Sequence, residues 1–316
     1  MQDVLCISGG RKLSGTVPVS GAKNAALPLL FATLLSEEQS EIRNVPDLQD
    51  IAVTLRLLRS LGAIVSFENG VVRIGTPSIK STEAPYSAVK ALRASFWALG
   101  PLLARAGEAQ VSLPGGDAIG TRPVDLHLNG MQRFGADIHV KHGVVYAAAS
   151  GGLKPAEVAL DFASVGATHN LLMTAALIPG ESVIRGAAKE PEVVDLAKFL
   201  TEMGAEISGA GTDTVKIKGC RQLGGAQHAV LGDRIEAATY LLSGVVSGGK
   251  VKVTGVDPTM LVATLDILRA AGRKTRDPRR QCGSRCTGSR PRRGRLVALE
   301  QHRRALWKPR PRSVGV

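Results

Sequence analysis

The sequence has few aromatic residues, few cysteines and no long apolar run. Aromatics make up 3% of the 316 residues, and four cysteines are too few for a disulfide framework, so we expect reduced thiols. No run approaches the roughly 18 apolar residues of a membrane span, and the first residues do not form a signal peptide. The sequence therefore predicts a cytoplasmic protein with no membrane partner, and 44% hydrophobic residues are ample for two buried cores.

Positive charge is concentrated at one end of the chain. The net charge is +13, and residues 273–316 hold 15 Lys and Arg against Asp277 and Glu300. The remaining 272 residues contain 25 basic and 25 acidic side chains and are neutral. The basic segment is rich in Arg, Pro and Gly and has almost no periodic apolar positions, which predicts disorder.

A polyanion-binding protein acting through this basic tail is one functional alternative. Its affinity would fall steeply with salt concentration. The tail has a single aromatic residue, Trp307, and so lacks the stacking residues of single-strand binders. We therefore expect no specific nucleic-acid partner.

One sequence pattern recurs four times and predicts the architecture. Each copy has the end of a helix, then a glycine and the start of a strand, and the glycines are Gly62, Gly135, Gly204 and Gly272. Glycine suits the left-handed conformation that follows many helices. The spacings of 73, 69 and 68 residues predict a unit of about 70 residues with two helices and several short strands.

The two helices of each unit differ in composition. The one before the glycine is amphipathic, as Leu55, Leu58 and Leu61 show for the first copy, where Asp47 is the expected N-cap. The other opens the unit and is built of small and apolar residues. The sequence predicts these opening helices at 25–35, 93–106, 166–178 and 234–247.

The fourth copy stops matching the others at its glycine. After Gly272 the sequence continues Arg273-Lys274-Thr275-Arg276, and apolar periodicity does not return. Such a change of composition in the middle of an element resembles a reading-frame shift or a chimeric end.

Lys23 and Asn24 mark the first candidate site. They follow a run of small residues and begin a helix, where free N–H groups, the helix dipole, a positive charge and an amide converge as an anion site requires. A solvated lysine in an ordinary first turn remains the alternative interpretation.

Asp117 marks the second candidate site. It lies among three glycines in the loop 114–126, and a carboxylate on a mobile loop can serve as a general acid. An ordinary turn residue is the alternative.

The third candidate site combines two predicted helix starts, at 163–168 and 231–236. Their backbone N–H groups could contact a phosphate, and the alternative is that each segment is only a helix cap. The histidines and cysteines show no metal-ligand spacing, and the sequence has no Ser/His/Asp constellation or Walker loop.

These motifs together resemble the enolpyruvyl transferase family. The matching segments, in order and spacing, are 20–28, 93–95, 99–102, 114–126, 164–168 and 233–236. The resemblance covers residues 1 to about 272. It implies an α/β fold of the inside-out barrel type with two domains of three repeats each. Residues 22–231 would form a complete domain, 1–21 and 232–272 part of a second, and 273–316 the basic tail.

The resemblance also implies a reaction. The enolpyruvyl group of phosphoenolpyruvate would pass to the 3′-hydroxyl of UDP-N-acetylglucosamine with release of phosphate, in peptidoglycan synthesis and without a metal or organic cofactor. Lys23 and Asn24 would bind phosphoenolpyruvate, with Lys23 also counted as catalytic, and Asp117 would donate a proton where most members carry Cys. The other implied substrate-binding residues are Arg93, Arg122, Pro123, Val124, Asp125 and Leu126 for the sugar nucleotide, Ser164, Val165 and Gly166 for its diphosphate, and Asp233.

Two enzyme-related alternatives stay open. One is the shikimate-pathway enolpyruvyl transferase, which shares the fold and phosphoenolpyruvate. The other is a catalytically inactive, truncated fragment, because two units of the second domain are absent. On that view Leu261, Leu265 and Leu268 would lack the partners that bury them. The sequence does not indicate an oligomeric state.

Overall fold

The computed structural model describes residues 6, 8–84, 93–113, 124–272, 274–276 and 296–300. These residues form two compact units. The large unit comprises the described parts of Gly21–Leu231, and the small unit those of Met1–Ser20 and Gly232–Val316. The large unit begins one residue before the range 22–231 expected from the sequence. Across the described residues, no helix is both long and apolar enough to cross a membrane.

The large unit contains twelve described strands in three four-stranded sheets. The strands are β2 Ser40–Arg43, β3 Ile64–Glu68, β4 Val71–Gly75, β5 Glu83–Ala84, β6 Glu108–Ser112, β7 Asp137–Lys141, β8 Val144–Ala148, β9 Glu157–Ala159, β10 Gly180–Arg185, β11 Glu206–Ser208, β12 Thr214–Gly219 and β13 Gln227–Ala229.

The three sheets share one topology. Their strand orders are β13-β2-β4-β3, β5-β6-β8-β7 and β9-β10-β12-β11, with the first pair parallel and the other pairs antiparallel. The first strand of each sheet comes from the preceding repeat. In the first sheet that strand is β13, at the end of the third repeat, where Gln227 pairs with Glu41 and Ala229 with Arg43. The three repeats therefore close into a ring.

Each repeat contributes an inner and an outer helix. The inner helices are α1 Lys23–Ala32, α3 Leu99–Ala106 and α5 Val165–Ala176, and short 3-10 helices at Thr33–Leu35 and Arg93–Ala98 adjoin the first two. The outer helices are α2 Gln49–Leu61, α4 Asp125–Arg133 and α6 Pro191–Glu202.

The inner helices lie in the core because their sequences are apolar or small on every side. All residues of 25–32 in α1 and 167–176 in α5 are buried. The outer helices bury one face only, as an amphipathic pattern predicts. A single apolar core runs through all three repeats.

The repeated glycines end the outer helices as predicted. Gly62, Gly135 and Gly204 have φ angles of 118°, 96° and 120°, which L-residues with a side chain rarely adopt. The start of α2 differs from the prediction, because the N-cap is Leu48 and not Asp47. In the described structure no side chain caps this helix.

The described residues of the small unit form one sheet and two α-helices. Its elements are β1 Ser14–Pro18, α7 Arg234–Val246, β14 Lys250–Thr254, a 3-10 helix Pro258–Leu261, α8 Val262–Ala270, β15 Lys274–Arg276 and β16 Leu296–Glu300. The strand order β1-β14-β16-β15 and the strand directions repeat those of the large unit.

Two short strands correct the prediction that 273–316 is disordered. Residues 274–276 and 296–300 pair with each other, and 296–300 also pairs with β14. The run Leu296-Val297-Ala298-Leu299 suits a strand, and β14 would otherwise leave one edge unpaired. The remainder of 273–316 lies outside the described residues.

Three leucines correct a second expectation. Leu261, Leu265 and Leu268 are only 2%, 1% and 4% exposed, although the sequence analysis left them without partners. They pack in a second apolar core with residues of the small unit's own sheet, such as Val251 and Val253. One repeat can therefore bury this face of α8 without further repeats.

Candidate site at the start of the inner helices

Lys23 is the first residue of α1 and is paired with a carboxylate. Its Nζ lies 2.6 Å from Asp50 Oδ2, in the first turn of α2. The two side chains are 39% and 32% exposed, so water and salt screen the pair. Asn24 is exposed. The motif indicates Lys23 and Asn24 but not Asp50, which lies 27 residues away from Lys23.

The N-terminus of α1 offers backbone donors. Within the described residues, no side chain caps this helix and its first turn has no acidic residue. The N–H groups of Ala25 and Ala26 donate to the Ala22 carbonyl, so the donors on offer are those of Lys23 and Asn24, at the positive end of the helix dipole. With the Lys23 ammonium group, this geometry suits a phosphate.

Ser164 caps α5, the second inner helix with predicted site residues. Its Oγ accepts a hydrogen bond from the Ala167 N–H at 3.3 Å, and the Thr168 hydroxyl donates to the Ser164 carbonyl at 2.7 Å. Ser164, Val165 and Gly166 are half-buried. The predicted diphosphate residues therefore form one ordered turn at the start of α5.

Two aromatic side chains meet at Gly166. The Trp97 indole N–H donates to the Gly166 carbonyl at 3.0 Å. His127 also lies beside Gly166, because a Cβ added there would stand 3.3 Å from His127 Nε2. Phe96 contacts His127 edge to face, with ring centroids 5.2 Å apart. The structure thus brings together the 3-10 helix that begins at Arg93 and the starts of α4 and α5.

Asn170 determines which nitrogen of His127 carries the proton. Its Oδ1 accepts the Gly100 N–H at 2.9 Å, so its Nδ2 is the donor. That Nδ2 lies 3.1 Å from His127 Nδ1, which must then accept. The neutral imidazole therefore keeps its proton on Nε2, the nitrogen close to Gly166. In the sequence His127 shows only that it lacks metal-ligand spacing, and no local pattern indicates this arrangement.

His169 is an internal group of the same helix. It is fully buried and contacts Trp97 edge to face at 5.2 Å. Burial lowers its pKa to about 4, against a smaller opposing effect of a backbone hydrogen bond with Glu192. His169 is therefore neutral at physiological pH and acts as a packing residue.

The start of α4 supplies the other predicted residues that the structure describes. Val124 is the N-cap, Asp125 is exposed in the first turn, and Leu126 is buried. Leu126 also lines a cavity of about 420 Å³. The cavity lies between α4 and the segment 158–161, and its other lining residues are Asn129, Gly130, Gln132, Arg133, Val158, Ala159, Leu160 and Asp161.

Four predicted site residues are described in part or not at all. Asp117, Arg122 and Pro123 lie outside the described residues. The backbone of Arg93 begins a 3-10 helix, and its side chain lies outside the description. Their contacts with substrate stay predictions.

Asp233 caps α7 in the small unit. Its Oδ1 accepts from the N–H groups of Ile235 at 2.7 Å and Glu236 at 3.0 Å. This oxygen has a structural role, and the other carboxylate oxygen, Oδ2, is the one left for the predicted substrate contact. That contact stays a prediction.

Comparison with known proteins identifies the family. The model of EPSP synthase (3-phosphoshikimate 1-carboxyvinyltransferase) matches residues 7–293. The chain belongs to the EPSP synthase family. The match extends past residue 272, where the sequence analysis ended the resemblance, and it includes the segment that forms β15.

Curated relatives of this EPSP synthase-family chain share about half of its residues. A protein of Haemophilus ducreyi is 51% identical over 267 residues, covering 84% of this chain and 63% of the relative. One of Vibrio atlanticus is 52% identical over 274 residues, covering 87% and 65%. Both are named UDP-N-acetylglucosamine 1-carboxyvinyltransferase.

Solved structures confirm the predicted fold class. The enolpyruvyl transferase NikO from Streptomyces tendae has a TM-score of 0.75 at 23% identity, covering 92% of this chain and 66% of that one. The EPSP synthase of Acinetobacter baumannii has a TM-score of 0.70 at 19% identity, covering 92% and 65%. At these identities the likeness shows the fold alone.

The chain spans about 63–65% of the length of the curated relatives it matches. Since 274 residues are 65% of the Vibrio atlanticus protein, that protein has about 420 residues, of which about 150 lie outside the match. This length equals two repeats of the kind found here.

Proposed function

We propose that the site of the large unit serves the transfer of the enolpyruvyl group from phosphoenolpyruvate to the 3′-hydroxyl of UDP-N-acetylglucosamine. The observation that carries the proposal is the identity of 51–52%, over 84–87% of this chain, to proteins named for that activity. The reaction would belong to peptidoglycan synthesis in the cytoplasm, and its partners are the two small-molecule substrates.

In this proposal the starts of α1 and α5 bind different substrates. Lys23, Asn24 and the uncapped first turn of α1 bind the phosphate of phosphoenolpyruvate. Ser164, Val165 and Gly166 at the start of α5 contact the diphosphate of the sugar nucleotide. Trp97 supports this role because it holds the Gly166 carbonyl, which fixes the turn before a ligand binds.

The remaining predicted residues hold the sugar nucleotide. In the large unit they are Arg93, Arg122, Pro123, Val124, Asp125 and Leu126. The position of Leu126, on the wall of the 420 Å³ cavity, is compatible with this assignment.

The reaction proceeds by addition and elimination. The 3′-oxygen of the sugar bonds to C2 of phosphoenolpyruvate while Asp117 donates a proton to C3, and the hydroxyl proton is lost to a base. The C2–O bond to phosphate then breaks and C3 loses a proton, which restores the double bond. Phosphate leaves, and the product is the enolpyruvyl ether.

Substrate binding without turnover is the second candidate function. It is favoured because the described residues of the small unit form one sheet, where those of the large unit form three.

Phosphate release separates the two candidates. The full chain is incubated with both substrates, and with each alone, while calorimetry measures the binding of UDP-N-acetylglucosamine. Phosphate release that requires both substrates, with the enolpyruvyl ether detected by mass, supports the transferase. Binding without release supports the second candidate, and absence of binding contradicts both.

A further inference from the structure

His228 lies between two carboxylates on β13, the strand that closes the ring. Its side chain and that of Asp195 are only 7% and 8% exposed. One ring nitrogen lies 2.9 Å from Glu202 Oε2 and the other 3.2 Å from Asp195 Oδ1. A neutral imidazole has one N–H and a charged imidazole has two, so only the charged form can donate to both carboxylates.

Helix α6 supplies the ionisable groups that face His228. Asp195, Phe199 and Glu202 follow one another at four and three positions, so they lie on one side of the helix. The rings of Phe199 and His228 pack with centroids 5.6 Å apart. Lys198, the other ionisable residue in this stretch, is exposed. Burial acts to lower the pKa of His228, but the hydrogen bonds and charges of the two carboxylates outweigh it and raise the pKa.

Strand β2 pairs with β13 and directs its charges away from His228. The register partner of His228 is the apolar residue Ile42. Glu41 and Arg43 flank Ile42, and successive side chains of a strand point to opposite faces of the sheet. Glu41 and Arg43 therefore lie on the other face, where they pair with each other at 2.6 Å.

Asp195 connects His228 to the start of α1. Its second oxygen, Oδ2, accepts the N–H of Leu231 at 3.3 Å. The carbonyl of Leu231 in turn accepts the N–H of Ala22 at 2.8 Å. Ala22 is the N-cap of α1, directly before the two residues that we assign to the phosphate of phosphoenolpyruvate. Three successive hydrogen bonds therefore lead from His228 to that site.

The segment around Leu231 is held tightly. The N–H of Val230 donates to the Arg43 carbonyl at 3.0 Å, and the Val230 carbonyl accepts from the Asn44 side chain at 2.8 Å. A Cβ at Gly21 would collide with the Asn44 carbonyl oxygen, so the residue before the N-cap packs against the same loop. A displacement of Leu231 is therefore passed to the start of α1 and not absorbed by a loose loop.

We propose that His228 is a positioning residue, which in its charged form holds the start of α1 in the geometry that binds the phosphate of phosphoenolpyruvate. Loss of its proton removes a donor from one carboxylate and leaves one more unbalanced negative charge. A buried carboxylate that loses its charged partner is unstable, so Asp195 shifts and Leu231 with it. The added negative charge also repels phosphate. The inference rests on the proposed function, because it takes the start of α1 as the phosphate site.

The test measures the affinity of the full chain for phosphoenolpyruvate by calorimetry from about pH 6 to about pH 9. At the lower pH, His228→Gln should bind about fivefold or more weakly than the wild type. The ratio of the two affinities should approach one at the higher pH, because both side chains are then neutral. The phosphate itself titrates near about pH 6, and the ratio removes this common effect.

His139→Gln is the matched control. His139 also lies 3.2 Å from a carboxylate, that of Asp137, but it is 72% exposed and lies on β7. This variant should bind phosphoenolpyruvate as the wild type does at every pH. A loss of affinity equal to that of His228→Gln would overturn the inference.

Glu202→Gln is a second variant that keeps His228, and its site is 44% exposed, so the fold tolerates the change. It removes one of the two charges that raise the pKa of His228. The pH at which phosphoenolpyruvate binding weakens should therefore move to a lower value. An unchanged pH would overturn the inference, because His228 would not be the group that titrates.

Amide hydrogen exchange of Ala22, measured without ligand, separates this inference from the proposed function. The protection of the wild type relative to His228→Gln should fall as the pH rises. If phosphoenolpyruvate binds but its affinity ratio is the same at both ends of the pH range, the inference is overturned and the proposed function stands. If phosphoenolpyruvate binds at no pH, the proposed function is contradicted and the exchange ratio decides the coupling, which a constant ratio would overturn.

Discussion

At the scale of one residue, Lys23 has an ion-pair partner that the sequence motif does not reveal. The motif predicts a free cation at a helix start, whereas the structure pairs this ammonium group with Asp50 at 2.6 Å. A phosphate that binds Lys23 must therefore compete with a carboxylate. Because the pair is partly exposed, its contribution is about 1 kcal/mol or less, which a divalent anion readily exceeds.

Substitution of Lys23 tests its proposed role. Lys23→Ala should weaken the binding of phosphoenolpyruvate at least tenfold and that of UDP-N-acetylglucosamine far less, because the proposed site binds the phosphate of phosphoenolpyruvate at the start of α1. Calorimetry with each substrate measures both effects. Equal weakening of the two ligands would make Lys23 a structural residue. Asp50→Asn is the matched variant. It should not weaken the binding of phosphoenolpyruvate, because it only removes the competing charge.

His228 is a second residue whose setting the sequence did not reveal. It lies on β13, the strand that closes the ring, and its ring nitrogens are 2.9 Å from Glu202 Oε2 and 3.2 Å from Asp195 Oδ1. Its side chain is 7% exposed and packs against Phe199. Burial acts to lower the pKa of His228, but the hydrogen bonds and charges of Asp195 and Glu202 outweigh it and raise the pKa.

The raised pKa predicts a pH-dependent stability. In the unfolded chain, His228 titrates near about pH 6.5. Its stabilising contribution is therefore complete below that pH and is lost as the pH rises through the higher folded value. The free energies of unfolding in urea of the wild type and of His228→Gln should differ by roughly 1.5–3 kcal/mol at low pH and by less at high pH.

At each pH, the quantity to compare is the difference in free energy of unfolding between the wild type and His228→Gln. His169, with its pKa lowered to about 4, acts in the opposite direction, since it destabilises the fold as the pH falls below about 6.5. This effect is common to both proteins and cancels. A constant difference across the pH range would show that folding does not shift the pKa of His228, and would contradict the prediction.

At the scale of elements, the contact between α3 and α5 depends on Gly100. A Cβ there would stand 2.4 Å from Asn170 Oδ1 and 2.5 Å from Thr174 Oγ1, both in fully buried residues. Neither helix can move apart without opening the core. Glycine at this position is therefore required for close packing.

Gly100→Ala should lower the free energy of unfolding by about 1–3 kcal/mol, as overpacking of a core does. Gly151→Ala is the control, because no atom lies within 4 Å of its added Cβ and its φ is not in the left-handed region. Urea unfolding measures both variants. A Gly100→Ala protein as stable as the control would mean that the helices adjust freely.

Element boundaries that depend on local chemistry could be predicted from the sequence. The left-handed glycines Gly62, Gly135 and Gly204 are examples, since each acts on its own backbone neighbourhood. The prediction of Asp47 as the N-cap was wrong, because several residues near a helix start can occupy the N-cap position and the tertiary fold selects one of them. Leu261, Leu265 and Leu268 were misjudged because their partners lie on the same repeat and not on an adjacent one.

At the scale of the whole molecule, the sequence pattern predicted the number of repeats, but not which strands pair to close them into a ring. Pairing of β13 with β2 joins residues 227–229 to 41–43, and no local pattern specifies such a distant contact. The same limit applies to the site. Motifs identified Lys23 and Ser164, whereas Asp50, Trp97 and Asn170 enter through contacts between separate elements.

The identity of the acceptor substrate tests the central claim most directly. The family model carries the name of a 3-phosphoshikimate enzyme, while the relatives at 51–52% identity are named for UDP-N-acetylglucosamine. Calorimetry of the full chain should be done with each acceptor, with phosphoenolpyruvate present and absent. We predict that UDP-N-acetylglucosamine binds at least 100-fold more tightly than 3-phosphoshikimate, a difference of about 2.7 kcal/mol. Preference for 3-phosphoshikimate, or failure to bind UDP-N-acetylglucosamine, would contradict the account.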